Sequence, residues 1–295
     1  MLDTSTEQCK TDNDCAARGG SFAGLKCVER VCVAPEDAGA DAADASDAAV
    51  DAGPWGCLGN VVFPAPQKPQ VAVTVPLIDL ISHAGRTDVL ARVCAKIDVN
   101  CGSPITTTKP DANGLLHLTL SAGFDGFVLL TPLLPDGGQP DPDAGGGPDS
   151  GVGQLVIPSL VFFNPPLVDD TLYTTILLLT QDDLMQLSQL EGTTIDPSLG
   201  AVFMATNDCN GQASAGVSVA LDSTATSTQG FYFQNNLPTL TGTATDSTGY
   251  AGFVNAPVGT RTLTGTLQAT QQYIGKVSVF SRASMISYTV VAPSP

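Results

Sequence analysis

The sequence predicts a mostly β protein. It reads as two tandem antiparallel β-sandwiches with a short helix between them and a small disulfide-rich module in front. Three observations predict this. Short apolar runs of strand length recur with Gly, Asp, Asn and Pro between them. A strand–turn–strand pattern occurs twice in the same order. Eight cysteines are present, four of them between Cys9 and Cys32.

In chain order the division is a Cys-rich module (1–33), a linker (34–54), a first sandwich (55–180), a connecting helix and loop (181–197), and a second sandwich (198–295). In the module, Cys9, Cys15, Cys27 and Cys32 are spaced Cys-x5-Cys-x11-Cys-x4-Cys. Few large apolar residues lie between them, so burial alone cannot hold the module, and two disulfides are expected. A four-thiolate zinc site is the competing reading, but it favours paired Cys-x2-Cys spacings, which are missing. Asp12, Asn13 and Asp14 read as a turn. They fall short of a calcium loop, which needs more oxygens and a bidentate Glu.

The linker is almost wholly Ala, Asp and Gly. Nothing in it can be buried and its charges repel, so it is expected to be a disordered tether. Residues 135–153, rich in Asp, Gly and Pro, read as a flexible insertion within the first sandwich.

The strands follow. Val71, Val73 and Val75 alternate on one face. Val89–Ile97, Leu115–Leu120, Phe127–Leu133, Gln154–Phe163 and Thr171–Leu179 have strand length and β-branched content. One helix interrupts them. Thr180 and Asp183 approximate a capping box, Asp182 and Asp183 suit the helix dipole, Leu184, Leu187 and Leu190 recur at helical spacing, and Gly192 stops it. Strands then resume at Ala201–Thr206, Gly216–Asp222, Gly230–Gln234, Thr239–Thr245, Gly252–Asn255, Arg261–Leu267, Lys276–Phe280 and Met285–Val291.

Two stretches recur. Val93-x-Ala95-x-Ile97-Asp98 corresponds to Val217-x-Val219-x-Leu221-Asp222, and Asp111-Ala112-Asn113-Gly114 to Asp246-Ser247-Thr248-Gly249. Each Asp-x-x-Gly reads as a hairpin turn, with Asp bonding its own following backbone and Gly supplying positive φ. A second glycine, Gly123 or Gly259, follows each. The run from Thr245 to Thr260, Thr-Asp-Ser-Thr-Gly-Tyr-Ala-Gly-Phe-Val-Asn-Ala-Pro-Val-Gly-Thr, resembles the Thr-Asp-x-x-Gly…Asn-x-Pro-x-Gly core of carboxypeptidase regulatory-like domains. The resemblance covers about 200–292 well and 57–179 more loosely, with Pro110 where Thr is expected. It implies prealbumin-like sandwiches that serve as accessory, spacer or adhesion modules. The Cys-rich head and Asp/Ala tether resemble the front of exported bacterial envelope proteins. Related surface modules carry Lys–Asn crosslinks, but the second sandwich has only Lys276 and its last strand lacks Asn.

Composition excludes several functions. A net charge of −17 argues against nucleic-acid and anionic-lipid partners. There is no apolar run long enough for a membrane span. No export signal is visible at Met1-Leu2-Asp3-Thr4, yet the cysteine content points outside the cell. Only His83 and His117 are available for a triad or metal site, and neither has partners in sequence. Asp169-Asp170 and Asp182-Asp183 diverge on strand or helix, so neither reads as a glycosidase pair. No catalytic residue, metal ligand or cofactor is expected. Cys57, Cys94, Cys101 and Cys209 allow three pairings. Cys94 and Cys101 bracket a turn and are the first choice, leaving Cys57 with Cys209. Tyr232 in Phe231-Tyr232-Phe233 faces opposite to its neighbours and is a possible ligand-surface residue, with packing as its ordinary role.

The expectation is therefore an exported non-enzymatic structural or interaction protein, an adhesin or spacer of the bacterial cell envelope. Its partner would be an unknown protein or polysaccharide of the cell surface. The alternatives are a carbohydrate-binding module protein and an accessory domain of a hydrolase.

Overall fold

The computed structural model describes residues 9–17, 26–28, 31–33, 53–134, 138, 155–190, 192–235 and 237–295. The expected tether and nearly all of the 135–153 insertion lie outside these residues. The chain forms two units, Met1–Ala52 and Gly53–Pro295.

In the first unit, α1 (Asp12–Ala17) starts where a turn was expected. The Asp14 carboxylate accepts the backbone N–H groups of Lys10 and Thr11, both at 2.8 Å, and so satisfies donors before the first helical turn. Strands β1 (Lys26–Val28) and β2 (Val31–Val33) form a hairpin. Cys9 is bonded to Cys27, and Cys15 is also in a disulfide.

Apart from a 3-10 turn at Gly53–Trp55 and helix α2 (Gln181–Leu190), the regular structure described in the second unit is β. Its strands fall into three sheets. The outer four-stranded sheet contains β3 (Gln70–Asp79), β6 (Leu115–Ser121), β9 (Thr171–Leu172) and β10 (Ile176–Leu178). The central sheet has nine strands, which include β4 (Val89–Ala95), β5 (Thr106–Thr108), β7 (Gly126–Pro132) and β8 (Ser159–Phe162) from the first half. From the second half it takes β11 (Gly200–Thr206), β13 (Gln229–Gln234), β14 (Leu237–Thr239), β15 (Tyr250–Ala256) and β18 (Ile286–Val291). The third sheet is β12 (Val217–Leu221), β16 (Gly259–Leu267) and β17 (Tyr273–Ser281).

The two halves repeat one topology. β3 lies between antiparallel β6 and parallel β10, and β11 lies between antiparallel β15 and parallel β18. β4–β7–β8 and β12–β16–β17 are matching antiparallel runs. Of the first recurring stretch, Val93 and Ala95 fall on β4 and Val217 to Leu221 on the equivalent β12; Ile97 and Asp98 lie past the end of β4, and Ile97 is exposed. What joins the halves is the parallel pairing of β18 with β8, Ile286 opposite Ser159 through Tyr288 opposite Val161.

One consequence is that central strands are buried on both faces. Along β11, Ala201, Phe203 and Ala205 enter a core shared with β3, β6 and β10. Val202 and Met204 enter a second core against β12, β16 and β17. β18 does the same with Ile286, Tyr288 and Val290 on one side and Val291 on the other. Hence β11 reads as an apolar run rather than as an alternation, whereas β18 carries Ser287 and Thr289 between its apolar residues, buried all the same.

Helix α2 (Gln181–Leu190) forms with the predicted reciprocal cap: Thr180 N–H donates to the Asp183 carboxylate at 2.8 Å, and Asp183 N–H to the Thr180 hydroxyl at 3.1 Å. Gly192 follows at φ 65°. The expected strand Thr239–Thr245 is a difference. β14 ends at Thr239, and Thr241 N–H turns back to the Thr239 hydroxyl at 3.2 Å, so side-chain bonding replaces the ladder. Likewise Thr171–Leu179 is two short strands on β3, broken where buried Tyr173 directs its hydroxyl to Phe162 O.

Candidate functional site

Three features concentrate chemistry in the large unit: two equivalent turn nodes, a covalent staple, and a cleft under α2. The turn nodes come from the Asp-x-x-Gly elements. In the first, Gly114 sits at φ 79°, and the Asp111 carboxylate accepts Asn113 N–H at 2.8 Å. In the second, Gly249 sits at φ 72°, and Asp246 accepts Thr248 N–H at 2.9 Å. A Cβ on Gly114 would lie 2.7 Å from Leu77 O, and one on Gly249 would lie 2.8 Å from Thr206 O. Both glycines are thus required twice over, for conformation and for close approach.

What surrounds each glycine differs. Beside Gly114, Arg86 bridges Asp79 at 2.9 Å and Asp88 at 2.6 Å, largely out of solvent. Burial raises the Asp79 carboxyl's pKa, but donation from Ser82 and Arg86 outweighs it and leaves the pKa below the ordinary 3.8. Beside Gly249, the hydroxyls of Thr206 and Thr245 both donate to Ser214 O, at 2.9 and 2.7 Å. The Asp79–Arg86–Asp88 cluster was not singled out in the sequence, because nothing in Asp-x6-Arg-x-Asp spacing distinguishes a buried cluster from surface charges.

The staple is Cys57–Cys209, the pairing left after Cys94–Cys101, which is also present. Cys209 N–H donates to Pro54 O at 3.0 Å. Trp55 and Leu58 pack on the core of β12, β16 and β17. The segment after the linker is therefore built into the second repeat before the chain crosses to the first.

The cleft runs under α2 and the 193–197 segment. Part of it is walled by Leu184, Ile195, Phe203, Phe231, Phe233 and Val254. It adjoins a space of about 440 Å³ whose mouth carries Asp196, Asn255 and Ser284. Asn255, in the Asn-x-Pro-x-Gly element, was quoted in the sequence without a role. It adopts φ 54°, donates to Thr194 O and Ser227 O, and accepts Asp196 N–H. It holds the chain that leaves α2. Asn is among the few residues that take this conformation readily.

Tyr232 does face away from Phe231 and Phe233. That side of β13 is the second core rather than solvent, because the central sheet is covered on both faces. The ring is half-buried against that core, and its hydroxyl accepts Val219 N–H at 2.9 Å. His117 projects outward, bonded to Thr74 and, at 3.3 Å, to Asp111. His83 is exposed in a turn at φ 55°. The two histidines are held by different turns and share no partner. Asp169 and Asp170 both contact Lys68. Among the described residues, the one group with metal-ligand proximity is Cys9, Cys15 and Cys27, and all three are in disulfides. No helix among the described residues is long and apolar enough to cross a membrane.

No family model and no curated protein matches the chain. Among solved structures, it is similar to the Bacillus anthracis TIE protein at 10% identity, over 77% of this chain and 34% of that one, with a TM-score of 0.22. It is also similar to the shaft pilin SpaA of Lactobacillus rhamnosus GG at 12% identity, over 77% and 98% of the two chains, with a TM-score of 0.22. A third is GBS52, the minor pilin of Streptococcus agalactiae, at 12% identity over 76% and 98%, with a TM-score of 0.22. Scores of this size do not establish a common fold.

Proposed function

We propose that this chain is an exported structural or interaction protein of the bacterial cell envelope, whose paired sandwiches act as a rigid spacer or recognition surface. One observation carries the reading: the β8–β18 pairing fuses two repeats into a continuous nine-stranded sheet. A hinge between the repeats would have to break that sheet. The disulfides support an oxidising compartment, where such bonds form and persist. The matching topology of the repeats supports the tandem arrangement.

The cleft under α2 favours a second reading, ligand binding. Its aromatic and aliphatic walls suit an apolar ligand better than a sugar.

The test is fractionation of native cells with thiol labelling, followed by a pull-down of the full chain against envelope polysaccharide and surface proteins. Surface recovery with blocked thiols and retention on an envelope component support the reading. Recovery in the cytosol with free thiols sinks it.

A further inference from the structure

We infer that tension entering this protein from its N-terminal side passes through Cys57–Cys209 and on to β18. Residues 58–208, which hold β3 to β11, form a covalently closed loop that this load cannot extend while the bond holds.

Chain arriving at Gly53 is fixed within a few residues. Pro54 O accepts Cys209 N–H, Trp55 and Leu58 enter the core of β12, β16 and β17, and Cys57 is bonded to Cys209. The bridge closes a sequence separation of 152 residues, with Cα atoms 5.8 Å apart. Everything from Leu58 to Asp208, which includes all of β3 to β11 and α2, lies inside that loop. Just before Cys209, Asn207 N–H donates to Val291 O at 3.0 Å, at the end of β18. The point where force enters and the strand by which the chain leaves are therefore neighbours in one sandwich. A pull between Gly53 and Ala292 runs along the covalent chain through Cys57, the disulfide, Cys209 and on to β18, and it cannot lengthen the loop while the disulfide holds.

The inference depends on the structural reading only for its biological use. Its own content is mechanical: load on β18 can strip it from β8 and β11, yet the chain between residues 58 and 208 cannot be drawn out. Reduction of one bond exposes it to that load.

The experiment is single-molecule stretching of the full chain, held by peptide-tag handles at its two ends, before and after a thiol reductant is added. Under oxidising conditions the extension should stop short. Reductant should then add a step of roughly 500 Å, from about 3.3–3.6 Å for each residue released. Opening Cys9–Cys27 or Cys94–Cys101 adds only roughly 60 and 25 Å on the same scale, so the steps are distinguishable. A Cys57→Ser, Cys209→Ser variant should show the long extension without reductant, whether or not it folds fully. Full-length extension of the oxidised wild-type chain, or a step no larger than 60 Å on reduction, would overturn the inference. Either result leaves the surface location to be judged by fractionation.

Discussion

Around Gly114 in the first repeat, Leu77 N–H donates to Gly114 O at 2.9 Å and Arg86 N–H to Leu77 O at 2.9 Å. Around Gly249 in the second, Thr206 N–H donates to Gly249 O at 2.8 Å and Ser214 N–H to Thr206 O at 2.9 Å. The backbone bonds correspond one for one. The side chains do not: the first node holds an Arg–carboxylate cluster, and the second holds threonine hydroxyls next to a disulfide. The comparison teaches that the topology dictates the backbone bonds and the glycine. The means of filling the space around them remains open to charge, hydroxyl or covalent chemistry.

The covalent difference should be the largest in effect. On the chain-entropy account, opening Cys57–Cys209 by double serine substitution costs about 5 kcal/mol, against about 2 kcal/mol for Cys94–Cys101. Denaturant midpoints of the two variants check this, and equal losses would mean that the unfolded chain already keeps residues 57 and 209 near each other. Next come the glycines. Gly114→Ala and Gly249→Ala should each cost about 2–4 kcal/mol, from positive φ plus backbone crowding. Chemical denaturation should give similar values for both, and tolerance at one site alone would break the equivalence of the nodes.

The polar chemistry separates the nodes further. Arg86→Leu leaves the buried Asp79 carboxylate without its cation and should cost about 2–3 kcal/mol, allowing for partial exposure. Thr206→Val should cost only about 1 kcal/mol, because Thr245 still donates to Ser214 O. Thermal unfolding of both variants orders them, and a larger loss for Thr206→Val would reverse the assignment. The smallest effect is that of pH. The folded-state pKa of Asp79 is depressed, so its contribution is present above about pH 4 and is lost as pH falls through the depressed value. Amide protection factors at residues 77–86 should fall more from pH 5 to pH 3 than those at 201–206, a stretch with no carboxylate.

Local signals in the sequence were strong where one residue decides the geometry. The Thr180–Asp183 cap, the Asp-x-x-Gly turns and the alternation of Val71, Val73 and Val75 are all local, and all are present. The two-residue alternation at Phe231-Tyr232-Phe233 was also correct. It could not say what covers each face, because that depends on β12 reaching across from another sheet. The β8–β18 pairing was invisible for the same reason: Ser159–Phe162 and Ile286–Val291 are over a hundred residues apart, and nothing in either names the other. The Thr-rich run after Thr239 failed because hydroxyls bonding to nearby backbone compete with strand pairing. The cleft under α2 arises from the packing of three elements and has no sequence signature.

The position of β18 has a consequence for how the protein comes into being. β18 is the last strand of this sequence, yet it supplies Ile286, Tyr288 and Val290 to one core and Val291 to the other. A chain emerging N-terminus first lacks a strand common to both cores until residue 291 is free. Neither sandwich can complete its packing before that point, so the nascent chain stays unfinished, and therefore threadable, until the second repeat has been made.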